Sequence, residues 1–245
     1  MILNMESNST KEPAQRAARV PQVPRKKVIK AVKAVAAGDA CPEAGARWVG
    51  RTGSKTSRRD AILRSVGRVL GDSRLSSLTM QDIAVELGIT KGNLYYYFKD
   101  KQDILYQCHM RCMEVSLDGL RDVRSRQAEI DDPLHALLLV HITGMLTAGF
   151  GSVMLADLDN LNPSQRKRYV TRRDEFETGV REFIELGVAR GIYECQDPKL
   201  AGLAILGAIN WVPKWYSQQG SMTSAQIAQG LTDFLMRALW TPKPR

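Results

Sequence analysis

Cysteine is scarce, with four in 245 residues, and no secretory signal is recognisable at the amino end. That excludes a disulfide-stapled mini-protein, and it makes the cytosol the expected compartment. No run alternates polar and apolar residues for long enough to read as a strand, so a sheet is not expected. The catalytic signatures are missing as well: there is no Gly-x-Ser-x-Gly and no metal-ligand quartet. The string GARWVGRT (Gly45–Thr52) comes near a phosphate loop. However, Arg51 stands where Lys belongs, no strand precedes it and no apolar helix follows directly. No catalytic residue, no metal and no cofactor are therefore expected. Residues 133–156 lack any charged side chain, which is about the length of a membrane span. His135, His141, Thr143, Thr147, Ser152 and three glycines interrupt that run, so it reads as a helix buried inside a helical domain, with no membrane partner.

What is present is ordinary soluble-protein material. Apolar residues make up 44% and charged residues 25%, enough for a packed core in one large domain or two modest ones. The net charge of +9 is unevenly placed: residues 1–58 carry 12 Lys/Arg against 4 Asp/Glu, and residues 59–245 carry 23 against 22. A basic arm on a near-neutral body suits a polyanion, most often nucleic acid; a solvated tail is the plain alternative. Within residues 1–56, four prolines and four glycines break the chain. KKVIKAVKAVAA (Lys26–Ala37) has helical spacing, but the segment as a whole reads as a mostly disordered tail.

From Ser57 onward the apolar period is helical. Ile62, Leu63, Val66, Val69 and Leu70 share a face, and Gly71 stops that helix. Thr79 stands three residues before Asp82, a capping pattern, and Gly88 closes the short helix that follows. Thr90 caps another to about Tyr97, and Asp100 and Asp103 open a longer one. Asp132-Pro133, Pro163 and Asp197-Pro198 mark later starts, Gly191 a stop, Pro213 a bend, and Ser224 the cap of the last helix. The expected fold is all-α, about nine helices.

TMQDIAVELGITKGNLYYYFKDK (Thr79–Lys101) places two short helices about a turn at Gly88, the helix-turn-helix pattern. Ile83, Ala84, Leu87, Ile89 and Leu94 fill the space between them. Thr90, Lys91, Gly92 and Asn93 leave the second helix's leading end small and polar, as entry into a major groove requires. With Gly92-Asn93-Leu94-Tyr95, Phe98, Lys101 and Ile104-Leu105 following, residues 58–107 closely resemble the TetR family of bacterial transcriptional regulators. The resemblance implies roles by position. Thr79 and Thr90 match positions whose cap hydroxyls face phosphates, and Lys91, Gly92 and Asn93 lie on the groove-facing turn. Asn93 suits adenine, and Lys91 suits guanine or phosphate. Tyr95, Tyr96, Tyr97 and Lys101 match phosphate contacts, with Tyr96 the nearest to bases; for Leu94, Tyr95 and Phe98 core packing is the competing role.

The same resemblance implies a homodimer with two recognition helices about one DNA turn apart. Its interface is expected in residues 198–218 and 224–240. LGAINWVPKWYSQQG (Leu206–Gly220) and DLDNLNPSQRKRYVTRRDEFE (Asp157–Glu177) look like segments of TetR-type repressors that answer to acyl-coenzyme A thioesters in fatty-acid, steroid-ring and aromatic-acid degradation. The expected division is a basic tail over 1–56, a DNA-binding domain over 57–106 and a ligand-binding and dimerisation domain over 107–241. His141 and Met145 from the uncharged run, Arg168 and Arg172 from a five-cation cluster, and Trp211 and Trp215 form the expected effector set. Asp174, Glu175 and Glu177 beside the cations offer a self-paired, solvated face instead. Cys108 and Cys112 read as small buried hydrophobes, since no further ligands accompany them.

The expected function is thus a dimeric operator-binding repressor released by a small apolar effector, an acyl-coenzyme A thioester being the narrower form. A TetR-like regulator with a non-CoA hydrophobic effector and a non-specific basic DNA-binding protein are the alternatives.

Overall fold

The computed structural model describes residues 59–66, 78–147, 158, 161–217 and 219–240. Eight α-helices stand among these residues, with no strand; an isolated antiparallel bridge pairs Tyr193 with Trp240. They are α1 (59–66), α2 (Met80–Glu86), α3 (Lys91–Tyr97), α4 (Lys101–Ser125), α5 (Pro133–Thr147), α6 (Pro163–Ala189), α7 (Pro198–Trp211) and α8 (Ser224–Met236). The all-helical class holds. The tail over 1–56, the apolar pair Val69 and Leu70 with the stop at Gly71, and the continuation of the uncharged helix over 148–156 lie outside the described residues.

The caps explain most boundaries. At α2, Thr79 and Asp82 form a reciprocal capping box. At α3 the Thr90 hydroxyl accepts from the Asn93 amide at 3.1 Å, and at α4 the Asp100 carboxylate accepts from the Asp103 amide at 2.7 Å. The α5 start is held by Asp132, whose carboxylate accepts from the His135 amide at 2.9 Å and from the Tyr193 hydroxyl. Gly88 (φ +63°) and Gly191 (φ +68°) take the left-handed conformation that ends a helix. In both cases the next residue's amide reaches back five residues: Ile89 to the Ala84 carbonyl at 3.0 Å, and Ile192 to the Gly187 carbonyl at 2.9 Å.

Two boundaries correct the expectation. The cap of α8 is Thr223, not Ser224. Both carry hydroxyls, but only Thr223 has a Gln three residues on to complete the box; Ser224 has Ile227 there. Helix α7 does not run to residue 218 with a bend but ends at Trp211, and Val212–Lys214 continue as one 3-10 turn around Pro213.

Two apolar cores form among the described residues. The smaller gathers Ile62, Leu63 and Val66 of α1, Met80, Ile83 and Ala84 of α2, Leu94, Phe98, and Ile104, Leu105, Cys108 and Cys112 of α4, with Leu161 from the segment before α6. The larger takes Met113, Leu117, Leu120 and Val123 from the rest of α4, with the inner faces of α5 to α8. Helix α5 is buried almost all round because α4, α6 and α8 surround it, which accounts for a charge-free run without amphipathic patterning. At roughly 1.5–3 kcal/mol per fully buried large side chain, these cores supply the main driving force for folding.

Candidate nucleic-acid interface

Helix α3 is pinned from one side only. Leu94 is its one buried residue, and Phe98, just beyond its end, is 1% exposed. The Arg59 guanidinium lies over the Phe98 ring at 5.5 Å, which ties α1 to the end of α3. The Schellman turn at Gly88 sets the angle between α2 and α3, with Leu87 and Ile89 half-buried against the small core. Most of the rest of α3 faces out: Lys91, Gly92 and Asn93 are exposed, and Tyr95 is 48% and Tyr96 64% exposed, while Tyr97 is half-buried against the small core. The Lys91 ammonium sits 5.9 Å from the Tyr95 ring, and the Tyr96 and Tyr97 rings meet edge to face at 4.9 Å.

Thr79 is exposed at the start of α2 with its hydroxyl committed to the capping box: it donates to the Asp82 carboxylate at 2.7 Å and accepts from the Asp82 amide at 3.2 Å. The Thr79 backbone amide, at 2.8 Å, and then its hydroxyl donate to that carboxylate and hold Asp82 below its ordinary range. Lys101 is partly buried and donates to the Leu78 carbonyl at 3.0 Å, locking the start of α4 to the start of α2. All nine residues expected at DNA are thus placed around α3 and its two flanking helix starts. Asn93, Lys91 and Tyr96 carry the outward-facing donors; Leu94 and Phe98 take the core role.

The six expected effector residues do not converge. His141 and Met145 lie inside the larger core. His141 Nδ1 meets the Ser116 hydroxyl at 3.0 Å, its ring lies 4.6 Å from Phe176, and burial pulls its pKa down to about 4. Arg168 and Arg172 face outward on α6, where Arg172 pairs with Glu175 at 2.9 Å and neighbouring Arg173 with Asp174 at 3.2 Å, the self-paired arrangement. Trp211 and Trp215 are exposed. They do not share a helix face, because the helix ends at Trp211 and a 3-10 turn intervenes. Cys108 and Cys112 are buried, with thiols pushed up by desolvation, Cys112 to about 12.

Other features escaped the sequence reading. His109, buried beside Tyr169, has both ring nitrogens unpartnered. His135 reaches Asp233 of α8 at 2.9 Å. Helical register with Cys112 and Met113 foretells burial of His109; nothing local foretells its partners. On α7, Leu200, Leu203 and Trp211 are exposed at helical spacing, and Phe234 is 68% exposed on α8. Among the described residues, no cluster of three or more His, Cys, Asp or Glu is placed to hold a metal ion, and no helix is long and apolar enough to cross a membrane.

Residues 68–108 match the family described as bacterial regulatory proteins, tetR family, and residues 127–239 match the tetracyclin repressor-like C-terminal domain. The HTH-type transcriptional repressor KstR2 of Mycolicibacterium smegmatis is 26% identical over 195 residues, covering 71% of this chain and 86% of that protein. The crystal structure of the TetR family regulator PfmR from Thermus thermophilus superposes with a TM-score of 0.64 at 26% identity, over 72% of this chain and 97% of that one. AibR, solved in complex with isovaleryl coenzyme A and operator DNA, shares the fold with a TM-score of 0.59 at 24% identity, over 72% and 97% of the two chains.

Proposed function

Because the chain belongs to the tetR family of bacterial regulatory proteins, which are DNA-binding transcription factors and not enzymes, we propose that it is a dimeric, cytoplasmic repressor released from its operator by a small apolar effector of the acyl-coenzyme A class. The observation that carries the DNA half of this reading is α3: one side anchored by Leu94 and Phe98, the other offering Lys91, Gly92, Asn93 and Tyr96 to solvent. Asn93 has the donor and acceptor pair that reads adenine, and Lys91 a point charge for guanine or phosphate. Thr79, Thr90, Tyr95, Tyr97 and Lys101 surround that reading edge and position it on the backbone.

Dimerisation is supported by the exposed apolar side chains of α7 and α8, Leu200, Leu203, Trp211 and Phe234. A second copy related by a two-fold axis covers such faces with the same faces. The basic tail over 1–56 adds sequence-independent attraction, residues 57–106 read the operator, and residues 107–241 take the effector and dimerise.

The effector class is supported by one neighbour, AibR, solved with isovaleryl coenzyme A bound; the relative KstR2 supports the repressor role. An effector that prefers one spacing of the two α3 helices weakens DNA binding, and by linkage operator DNA weakens effector binding by the same factor. Titrating the protein–operator complex with acyl-coenzyme A thioesters and the matching free acids tests this reading. Release by thioesters alone is the expected result; release by the free acids alone moves the effector to a non-CoA class.

A further inference from the structure

His109 sits on α4 where the two cores meet. Cys108 and Cys112 pack in the small core, whereas Met113, one turn along, packs in the large one. The side chain is 1% exposed, and neither Nδ1 nor Nε2 has a hydrogen-bond partner. Across from it stands Tyr169 of α6, the ring centroids 5.0 Å apart and tilted by 60°. The other two buried histidines behave differently: His141 is paired with Ser116 and His135 with Asp233. A buried polar atom left unpaired costs more than an ordinary hydrogen bond returns, so two on one ring require a reason. Leucine would fill similar space without that cost.

Resting on the effector reading above, we infer that His109 is the polar anchor of the effector: an uncharged oxygen group, hydroxyl or carbonyl, carried on an apolar body, enters between α4 and α6 and hydrogen-bonds the imidazole. Burial lowers the pKa of His109 to about 4, so at neutral pH the ring offers one N–H donor and one bare nitrogen acceptor. Such a ring pairs with a hydroxyl through either nitrogen and with a ketone or thioester carbonyl through its N–H. It supplies no positive charge for a carboxylate. The residues one turn away on α4 are Leu105, Tyr106, Cys112 and Met113, a setting of hydrocarbon, sulfur and one aromatic ring that suits a hydrocarbon body. The position also gives the contact a consequence. Leu161, just before α6, packs in the small core, so a ligand wedged between α4 and α6 presses on elements that hold the DNA-binding helices.

The test uses full-length protein and operator DNA selected from a randomised library. The imidazole nitrogens of protein labelled with 15N-histidine are recorded as octanoyl-coenzyme A, octan-1-ol and octanoate are added in turn, with DNA release followed by fluorescence anisotropy. The expected result is that the thioester or the alcohol moves the His109 resonances and octanoate does not. His109→Leu should raise the half-effective concentration of the active probe about tenfold, scaled to the variant's own operator affinity. His109 resonances unmoved by every probe overturn the assignment, as does equal potency on the native protein and the leucine variant. Release that bypasses His109 overturns this anchor alone; release by no probe removes the effector reading with it.

Discussion

Gly92→Ala should make the protein more stable and a worse DNA binder at once. Gly92 is the second residue of α3, is exposed, and is not among the positive-φ glycines. A Cβ built there meets nothing within 4 Å. In the free protein the added methyl therefore has no steric cost, and it removes the entropy a glycine forfeits in a helix, roughly 0.5 kcal/mol in a first turn. For a chain of this size that is about 1–2 °C in Tm. On DNA the same methyl stands on the turn proposed to enter the groove, where interfaces are close-packed and an extra carbon costs roughly 1–3 kcal/mol. The expected outcome is a slightly raised Tm by circular dichroism with operator affinity down about tenfold by anisotropy at fixed salt. A raised Tm with unchanged affinity would refute the placement of α3 against the duplex. A lowered Tm would refute the open space around Gly92.

Other perturbations separate the remaining roles. Phe98→Ala removes a ring that is 1% exposed and carries the Arg59 contact; it should cost about 3–5 kcal/mol in urea unfolding and abolish operator binding. Thr79→Ala should cost about 1 kcal/mol through the lost cap. Because the Thr79 amide and hydroxyl hold the Asp82 carboxylate below its ordinary range, its share of that cap is fully present above about pH 4 and disappears as pH falls through the lowered value. Alanine removes the hydroxyl's part of that shift and keeps the amide's, so the difference between native and variant Tm should be flat from about pH 5 to 8 and shrink only in part in acid. Leu203→Glu with Phe234→Glu puts carboxylates on the faces proposed to pair; sedimentation should find a monomer and operator affinity should drop at least about a hundredfold. A dimer that survives both changes would place the interface elsewhere.

What the chain reveals before folding follows from how local each signal is. Thr79 with Asp82, Thr90, Asp100, Asp132-Pro133 and Gly191 act within one helical turn, and each boundary was readable for that reason. Thr223 was missed within the same logic, since two adjacent hydroxyls differ only in what stands three residues on. The outward-facing residues of α3 were legible because a short motif determines which side of that helix is anchored. The effector residues were not, because period shows that a side is apolar without showing which neighbour covers it. His141 and Trp215 illustrate the gap: one has its partner 25 residues away on another helix, and the other lies beyond a 3-10 turn that breaks the register with Trp211.

Helix α4 shows the same limit with a functional consequence. Its apolar stripe runs unbroken through Ile104, Leu105, Cys108, Cys112, Met113, Leu117, Leu120 and Val123, so no change of pattern marks where one core hands over to the other. Only the packing places that handover between Cys112 and Met113, with His109 beside it. Twenty-five residues make a rod about 37 Å long, stiff enough to act as a lever. On the proposed reading, an effector that tilts the upper half by about 5° carries the lower end, and α1 to α3 packed on it, by about 1.5 Å over half that length. Two copies moving oppositely double the change in spacing between recognition helices. On that reading, a single continuous helix shared by two cores would provide a mechanical path from a small molecule to DNA, and the absence of a boundary in its sequence is the property such a path requires.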